Sequence, residues 1–352
     1  MLIPFCALVD AESIAGRAAA IAAAHDLPGL ALALVEDGAI AHEQAFGFAD
    51  LATGARLAPG HVFQAASLAK MVTAWTVLQL ENQGQISLDA PVMRYVSRWR
   101  LPGDGFDIDA VTVRRILGHR AGLSLPDYPG FEPDQPLPSL EASLAGETNG
   151  AGDLRVIETP GARFRYSGGG YTLLALAVEE ITGVRFADHV TRAVLGPLGM
   201  STSTFDRSTA VERATGHDAA RRPLPFYRYD GAAAAGLLAT IGDLARFAAA
   251  HVTGPRGEPA GRGVVSPVAL LAMTSMQSHT GRADGLWAGY GLGYEIEPLA
   301  DGCTLVGHHG VNRGWRALLA ADLEARRAIV LFANGDAAMP ALEQLLHMWR
   351  ER

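Results

Sequence analysis

Residues 63–70 read FQAASLAK, and the last of them, Lys70, is the sole lysine of a 352-residue chain; of its 29 basic side chains the other 28 are arginines. From Ser67 to about Gln83 the apolar residues Met71, Val72, Trp75, Leu78 and Leu80 recur near helical spacing, and Gly84 follows as a stop. This predicts a helix with Ser67 in its first turn. Residues three apart share a helix face, so Ser67 Oγ and Lys70 Nζ can meet. A hydroxyl there also lies in the positive end of the helix dipole, which favours developing negative charge. Arginine could not substitute, because a guanidinium stays protonated while a buried amine can release its proton. The pair reads as a nucleophile and its base.

Two further stretches carry chemistry. FRYSGGGYTLLALAVEEITG (164–183) places Tyr166 in a loop just before a helix, where its phenol projects into a cleft. Beside a cationic Lys70 its pKa of ~10 is expected to fall, and the two titrate as a coupled pair. VGHHGVNRGW (306–315) has Gly310 where a strand can approach a substrate closely, so the Val311 amide can join that of Ser67 as an oxyanion hole, with His308 facing the same cleft. His308 and His309 lack the spacing of a helical zinc pair and alternate sides on a strand, so no metal is expected.

The rest of the chain places these stretches. Hydrophobic residues make up 49% and charged residues 19%, a globular composition. A net charge of −8 without a basic run argues against nucleic acid as a partner. The arginine pairs 114–115, 221–222 and 326–327 read as solvated element ends. Cys6 and Cys303 have no metal-like spacing, and a bridge between them is left open. The apolar start lacks a basic segment and is far short of the ~20 residues that span a bilayer, so a soluble, cytoplasmic protein is expected. A helix over 11–25 leads to an antiparallel hairpin turning at Asp37-Gly38. Helices are predicted at 170–182 and 241–251, and LPDYPGFEPDQPLP (125–138) is an irregular loop. Short apolar runs then lead to a closing helix from about Pro340. The expected architecture is α/β: an antiparallel sheet built from both chain ends (1–66 and 266–352), a mainly helical part (67–265), and the site between them.

In order, FQAASLAK, YSG (166–168) and HHG (308–310), supported by ILGHRAGLS (116–124), PLGMSTSTF (197–205) and AAGLLATIGDLARF (234–247), resemble the serine β-lactamase superfamily. The nearest branches are class C β-lactamases, D-stereospecific peptidases and β-lactamase-like carboxylesterases. The resemblance implies a β-lactamase/transpeptidase-like fold with acylation at Ser67, Lys70 and Tyr166 sharing the base role, the Ser67 and Val311 amides as oxyanion hole, and no cofactor. Two positions depart from the pattern. Gly168 stands where the family usually has asparagine, offering room and no amide hydrogen bond; His308 stands where β-lactamases have lysine, so a fixed charge for a β-lactam carboxylate is missing unless Arg313 supplies it. Both departures argue for esters or uncharged amides rather than penicillins, and the leading expectation is a carboxylesterase on small esters. The alternatives are a D-aminopeptidase or amidase, a weak class C-like β-lactamase, an acyltransferase, and a penicillin-binding-type sensor that acylates and stalls.

Overall fold

The computed structural model describes residues 11–206, 212–282 and 287–351. Cys6 and the apolar start lie outside the described residues, as do the readings placed on them. The helix α1 (Ala11–Ala24) runs into the strands β1 (Gly29–Glu36) and β2 (Ala39–Asp50). Glu36 pairs with Ala39 around Asp37 and Gly38, whose φ values of 50° and 73° match the two-residue turn that suits strand twist. β3 (Ala55–Arg56) and β4 (Phe63–Ala66) precede α2 (Ala69–Asn82). Then come α3 (Val113–Leu117), α4 (Leu140–Leu144), α5 (Gly168–Thr182), α6 (Phe186–Val190) and α7 (Ala232–Ala235). β5 (Leu237–Ala239), α8 (Ile241–Ala249) and α9 (Pro267–Thr274) follow, and then β6 (Ser278–His279), β7 (Gly289–Tyr290) and β8 (Glu295–Pro298). β9 (Thr304–Asn312), β10 (Trp315–Asp322), β11 (Arg327–Ala333) and α10 (Met339–Arg350) complete the chain.

Nine strands form one sheet in the order β3-β2-β1-β11-β10-β9-β8-β7-β6, each pair antiparallel. The two ends of the chain meet where β1 pairs with β11, from Leu30 opposite Ala333 to Glu36 opposite Arg327. The period-2 pattern of GLALALVE explains why both faces are covered. Leu30, Leu32 and Leu34 pack outward with Ile14 and Ile21 of α1 and Leu345 and Trp349 of α10. Ala31, Ala33 and Val35 face inward to the cluster holding Phe63, Trp75, Phe247 and Phe332. α2 is buried almost all round, as befits a helix without a polar face, and lies in this inner core. Among the described helices none is long and apolar enough to cross a membrane.

Candidate active site

β4 ends at Ala66, which adopts φ 50°, a left-handed conformation that costs an L-residue roughly 1–2 kcal/mol. The chain there turns sharply into α2. Lys70 N bonds Ser67 O at 3.0 Å and Met71 N bonds Leu68 O at 3.2 Å, so a tight turn leads into the helix, whose first residue is Ala69. Ser67 thus sits two residues ahead of the regular helix. The i, i+3 geometry expected of it and Lys70 still holds.

Lys70 is 1% exposed, and its Nζ donates to Ser67 Oγ at 3.2 Å and to the Ala234 carbonyl at 2.8 Å. Burial pulls its pKa from 10.5 to about 7, against the opposing fields of Asp127 and Glu295. Tyr166 donates its hydroxyl proton to Ser67 Oγ at 2.9 Å, and its ring lies 4.7 Å from Lys70 Nζ. The three sequence-predicted groups therefore converge on one oxygen. The expected direction of the Tyr166 shift is reversed, however: desolvation pushes the phenol well above 10, the Ser67 bond opposes this in part, and the negative fields of Glu295 and Asp127 add to the rise. Burial is the largest cause of the shift.

His119, inside the ILGHRAGLS stretch, holds Tyr166 in place. Its ring packs against that of Tyr166 at 4.2 Å between centroids, tilted by 39°, and its Nδ1 accepts the Ser167 amide at 3.1 Å. Ser167 Oγ in turn caps α5 by accepting from Gly170 N at 3.1 Å. Sequence reasoning passed over His119, although its place in a polar turn after α3 was a signal. On the other side, Thr73 Oγ1 and Asn312 Nδ2 donate to the carbonyls of Ala233 and Ala235, flanking the Ala234 carbonyl that orients Lys70.

Gly310 performs the expected close approach, since a Cβ there would lie 2.6 Å from Ala65 O and 3.1 Å from Ala66 Cβ. β9 can lie against the segment preceding Ser67 only with glycine at this point. Val311 and Ser67 consequently line one cavity of about 560 Å³, a size suited to a small ligand. Arg313 and Arg316 also line it: Arg313 lies over the Tyr227 ring at 4.0 Å, and Arg316 pairs with Asp336 at 2.9 Å. A second hollow of about 620 Å³ beside the β1–β2 turn contains Arg246, Arg256 and Arg262. Carboxylates or carbonyls already engage these three, and no nucleophile faces them.

Two expectations are corrected. Gly168 lines the cavity but leaves no free room: a Cβ there would meet Pro126 O at 2.8 Å and the Tyr128 ring at 3.3 Å. Tyr128 occupies that space, fixed by its hydroxyl contact to Thr172 at 2.6 Å. His308 is fully buried and does not line the cavity; it lies behind Tyr166, 6.4 Å between ring centroids. Its Nδ1 faces the His309 carbonyl and its Nε2 lies 3.0 Å from the Tyr290 hydroxyl, the arrangement of a neutral imidazole. Burial lowers its pKa to about 4.

Nor do His308 and His309 serve opposite sides as strand alternation suggests. β8 begins at Glu295, opposite Gly307, so beyond Gly307 β9 has no β8 partner, and both imidazoles reach Glu295 Oε2, at 3.8 and 2.6 Å. Burial would raise the Glu295 pKa, but His309, His308 and the bonds from His309 outweigh it and hold it at about 2. These three residues are close enough to chelate a cation. The atoms that face one another are already committed: Glu295 Oε1 to Arg282 at 3.2 Å, Oε2 to the His309 amide and Nδ1, and both nitrogens of His308 as described. The cluster reads as a buried charge network.

Residues 14–348 match the family model described as Beta-lactamase. The chain is 28% identical over 302 residues to a D-aminopeptidase of Brucella anthropi, covering 82% of this chain and 52% of the relative. It is 32% identical over 193 residues to Penicillin-binding protein 4* of Bacillus subtilis, covering 54% and 40% respectively. The chain spans about half the length of the curated relatives it matches. Among solved structures it resembles an octameric penicillin-binding protein homologue from Pyrococcus abyssi (TM-score 0.79, 25% identity, 96% of this chain and 78% of that one). It shares its fold with a D-amino acid amidase from Ochrobactrum anthropi SV3 (TM-score 0.78, 21% identity, 96% and 99%).

Proposed function

The chain belongs to the beta-lactamase family, and from that premise we propose that it is a cofactor-independent serine hydrolase forming an acyl-enzyme at Ser67. The observation that carries this reading is the convergence of Lys70 Nζ and Tyr166 OH on Ser67 Oγ, at 3.2 and 2.9 Å, with the lysine pKa drawn down to about 7. A neutral Lys70 has a lone pair for the Ser67 proton while one N–H still serves the Ala234 carbonyl. Ser67 Oγ then bonds to the substrate carbonyl carbon, with the Ser67 and Val311 amides receiving the oxyanion. Tyr166, still a phenol, gives its proton to the departing nitrogen or oxygen as that bond breaks, and the Lys70 ammonium restores it. Water repeats the sequence to release the acid.

For the acyl donor we place D-aminoacyl amides and short peptides ahead of the small esters that the sequence alone favours. The support is the similarity to a D-aminopeptidase along most of the chain. Simple esters remain the second reading, favoured by the absence of a carboxamide at Gly168 and of a fixed cation at His308. A panel of D-alanine p-nitroanilide, p-nitrophenyl propionate and a chromogenic cephalosporin, with intact mass spectrometry of trapped protein, tests the assignment. Turnover of the anilide or ester with an acyl adduct on Ser67 is expected, and none from Ser67→Ala. Turnover that persists in Ser67→Ala would refute it, and turnover of the cephalosporin alone would replace the substrate ranking.

A further inference from the structure

Residues 126–129, PDYP, line the same cavity as Ser67, and the segment that carries them is held by several hydrogen bonds. Leu125 takes φ 58° and its carbonyl accepts the Gly169 amide at 3.0 Å, while the Pro126 carbonyl accepts the Gly168 amide at 2.8 Å. Ser167 Oγ donates to the Ser124 carbonyl at 2.6 Å. Tyr128 is locked between Gly231 and Thr172. Asp127 lies inside this clamp, exposed on the cavity surface, so its carboxylate is presented on a fixed backbone rather than on a loose loop.

Of the other charged residues lining the cavity, Lys70 is committed to Ser67 and the Ala234 carbonyl. Asp336 is held by Arg316 and by the Gly314 amide, and Arg313 lies on the Tyr227 ring. Among the described residues no ion pair or hydrogen bond engages the Asp127 carboxylate. It lines the same cavity as Ser67 and Lys70, and its field bears on Lys70 and Tyr166. At the same time Gly168 removes the carboxamide with which relatives would hold an N-acyl amide, and the Tyr128 ring fills the space.

We propose that Asp127 binds the protonated α-amine of an aminoacyl substrate, so that the cavity takes acyl donors with a free amine and rejects their N-acylated counterparts. This rests on the serine-hydrolase reading above and narrows it. An ammonium α to the scissile carbonyl sits one carbon from the atom that Ser67 attacks. A carboxylate on the rim of the same cavity supplies a charge-assisted hydrogen bond that an acetamide cannot repay. Because Asp127 is preorganised by the clamp on α5, little ordering is needed when the ligand arrives.

The test compares kcat/KM for alanine p-nitroanilide, in whichever hand is cleaved faster, with its N-acetyl derivative, and uses p-nitrophenyl propionate to report acylation without an amine. Wild-type protein is expected to prefer the free amine by ~10-fold or more, the effect of one hydrogen bond to a charge. Asp127→Asn should bring that ratio close to one, mainly through KM, and Asp127→Glu should keep most of it. A ratio unaltered in Asp127→Asn overturns the proposal, as does an equal loss on all three substrates, which would mean that Asp127 acts through the field it exerts on Lys70. Ester turnover on Ser67 without any preference for the amine refutes this inference and leaves the hydrolase reading intact. Failure of all three substrates to react or to label Ser67 sinks both.

Discussion

The titration of Lys70 gives the sharpest prediction. Acylation needs the neutral amine, and with a pKa of about 7 the neutral fraction is ~0.9 at pH 8, ~0.5 at pH 7 and ~0.01 at pH 5. For an uncharged ester such as p-nitrophenyl propionate, kcat/KM should fall ~90-fold between pH 8 and pH 5, with unit slope and a midpoint near 7. Release is followed chromatographically, so that the titration of p-nitrophenol does not enter. The neighbouring groups predict different profiles. His308 titrates at about 4, and Glu295 is held at about 2, so a limb set by either would leave the rate flat through pH 5. A profile flat to pH 5, or a limb centred near 4, would refute the role of Lys70 as base. Lys70→Arg should lose ~10²–10⁴-fold at every pH because the guanidinium cannot accept the proton. A Lys70→Arg protein that retained the wild-type acid limb would be equally damaging.

Three substitutions test the packing around this centre. Lys70 binds fewer protons folded than unfolded between about 7 and 10.5, so its cost is complete below pH 7 and stability rises with pH across that window. Lys70→Met removes a penalty of up to ~5 kcal/mol, offset by ~1–3 kcal/mol for the Ala234 carbonyl left without its donor. The variant should therefore melt several degrees higher at pH 7 while losing hydrolysis, and a lower Tm would contradict the buried-amine account. Gly310→Ala forces a methyl to 2.6 Å from Ala65 O, so it should cost ~1–3 kcal/mol in denaturant unfolding and cut turnover by shifting β9 from Ser67; wild-type kinetics would show that the approach has no role. Gly168→Asn restores the family's usual residue against Pro126 O and Tyr128, so it should destabilise by a similar ~1–3 kcal/mol and yield no cephalosporin turnover. A stable variant that hydrolyses cephalosporins would mean that the space is open after all.

What the sequence reveals here is what local rules govern. Asp37-Gly38 specifies its own turn, the apolar residues on either side of it form the two strands of the hairpin, and the one-turn spacing of Ser67 and Lys70 survives even though the regular helix begins only at Ala69. The misread features depend on where distant elements stop or intrude. The fate of His308 follows from β8 starting only at Glu295, which no residue near 308 encodes. The room beside Gly168 is taken by Tyr128, forty positions earlier, and the direction of the Tyr166 shift follows from burial among His119, Tyr171 and Tyr290. Asp127 was visible as a letter in a proline-rich loop, but its aim came from the clamp on α5.

A single physical cause assigns the two proton-handling groups their different roles. Desolvation disfavours charge on both, lowering the amine to about 7 and raising the phenol, so the dry site favours neutral amine with neutral phenol over ammonium with phenolate. The carboxylates of Asp127 and Glu295 sharpen the division, since their fields favour an ammonium and oppose a phenolate. Lys70 is therefore the group that can take the Ser67 proton, and Tyr166 the group that can give one. Tyr166→Phe should then discriminate between leaving groups. An anilide must acquire a proton as its nitrogen departs, whereas p-nitrophenolate leaves without one, so the variant should lose ~10²-fold or more on the anilide and much less on the activated ester. Equal losses on both would instead assign Tyr166 to the first proton transfer, and Lys70 would then be the group that holds the phenol rather than the base.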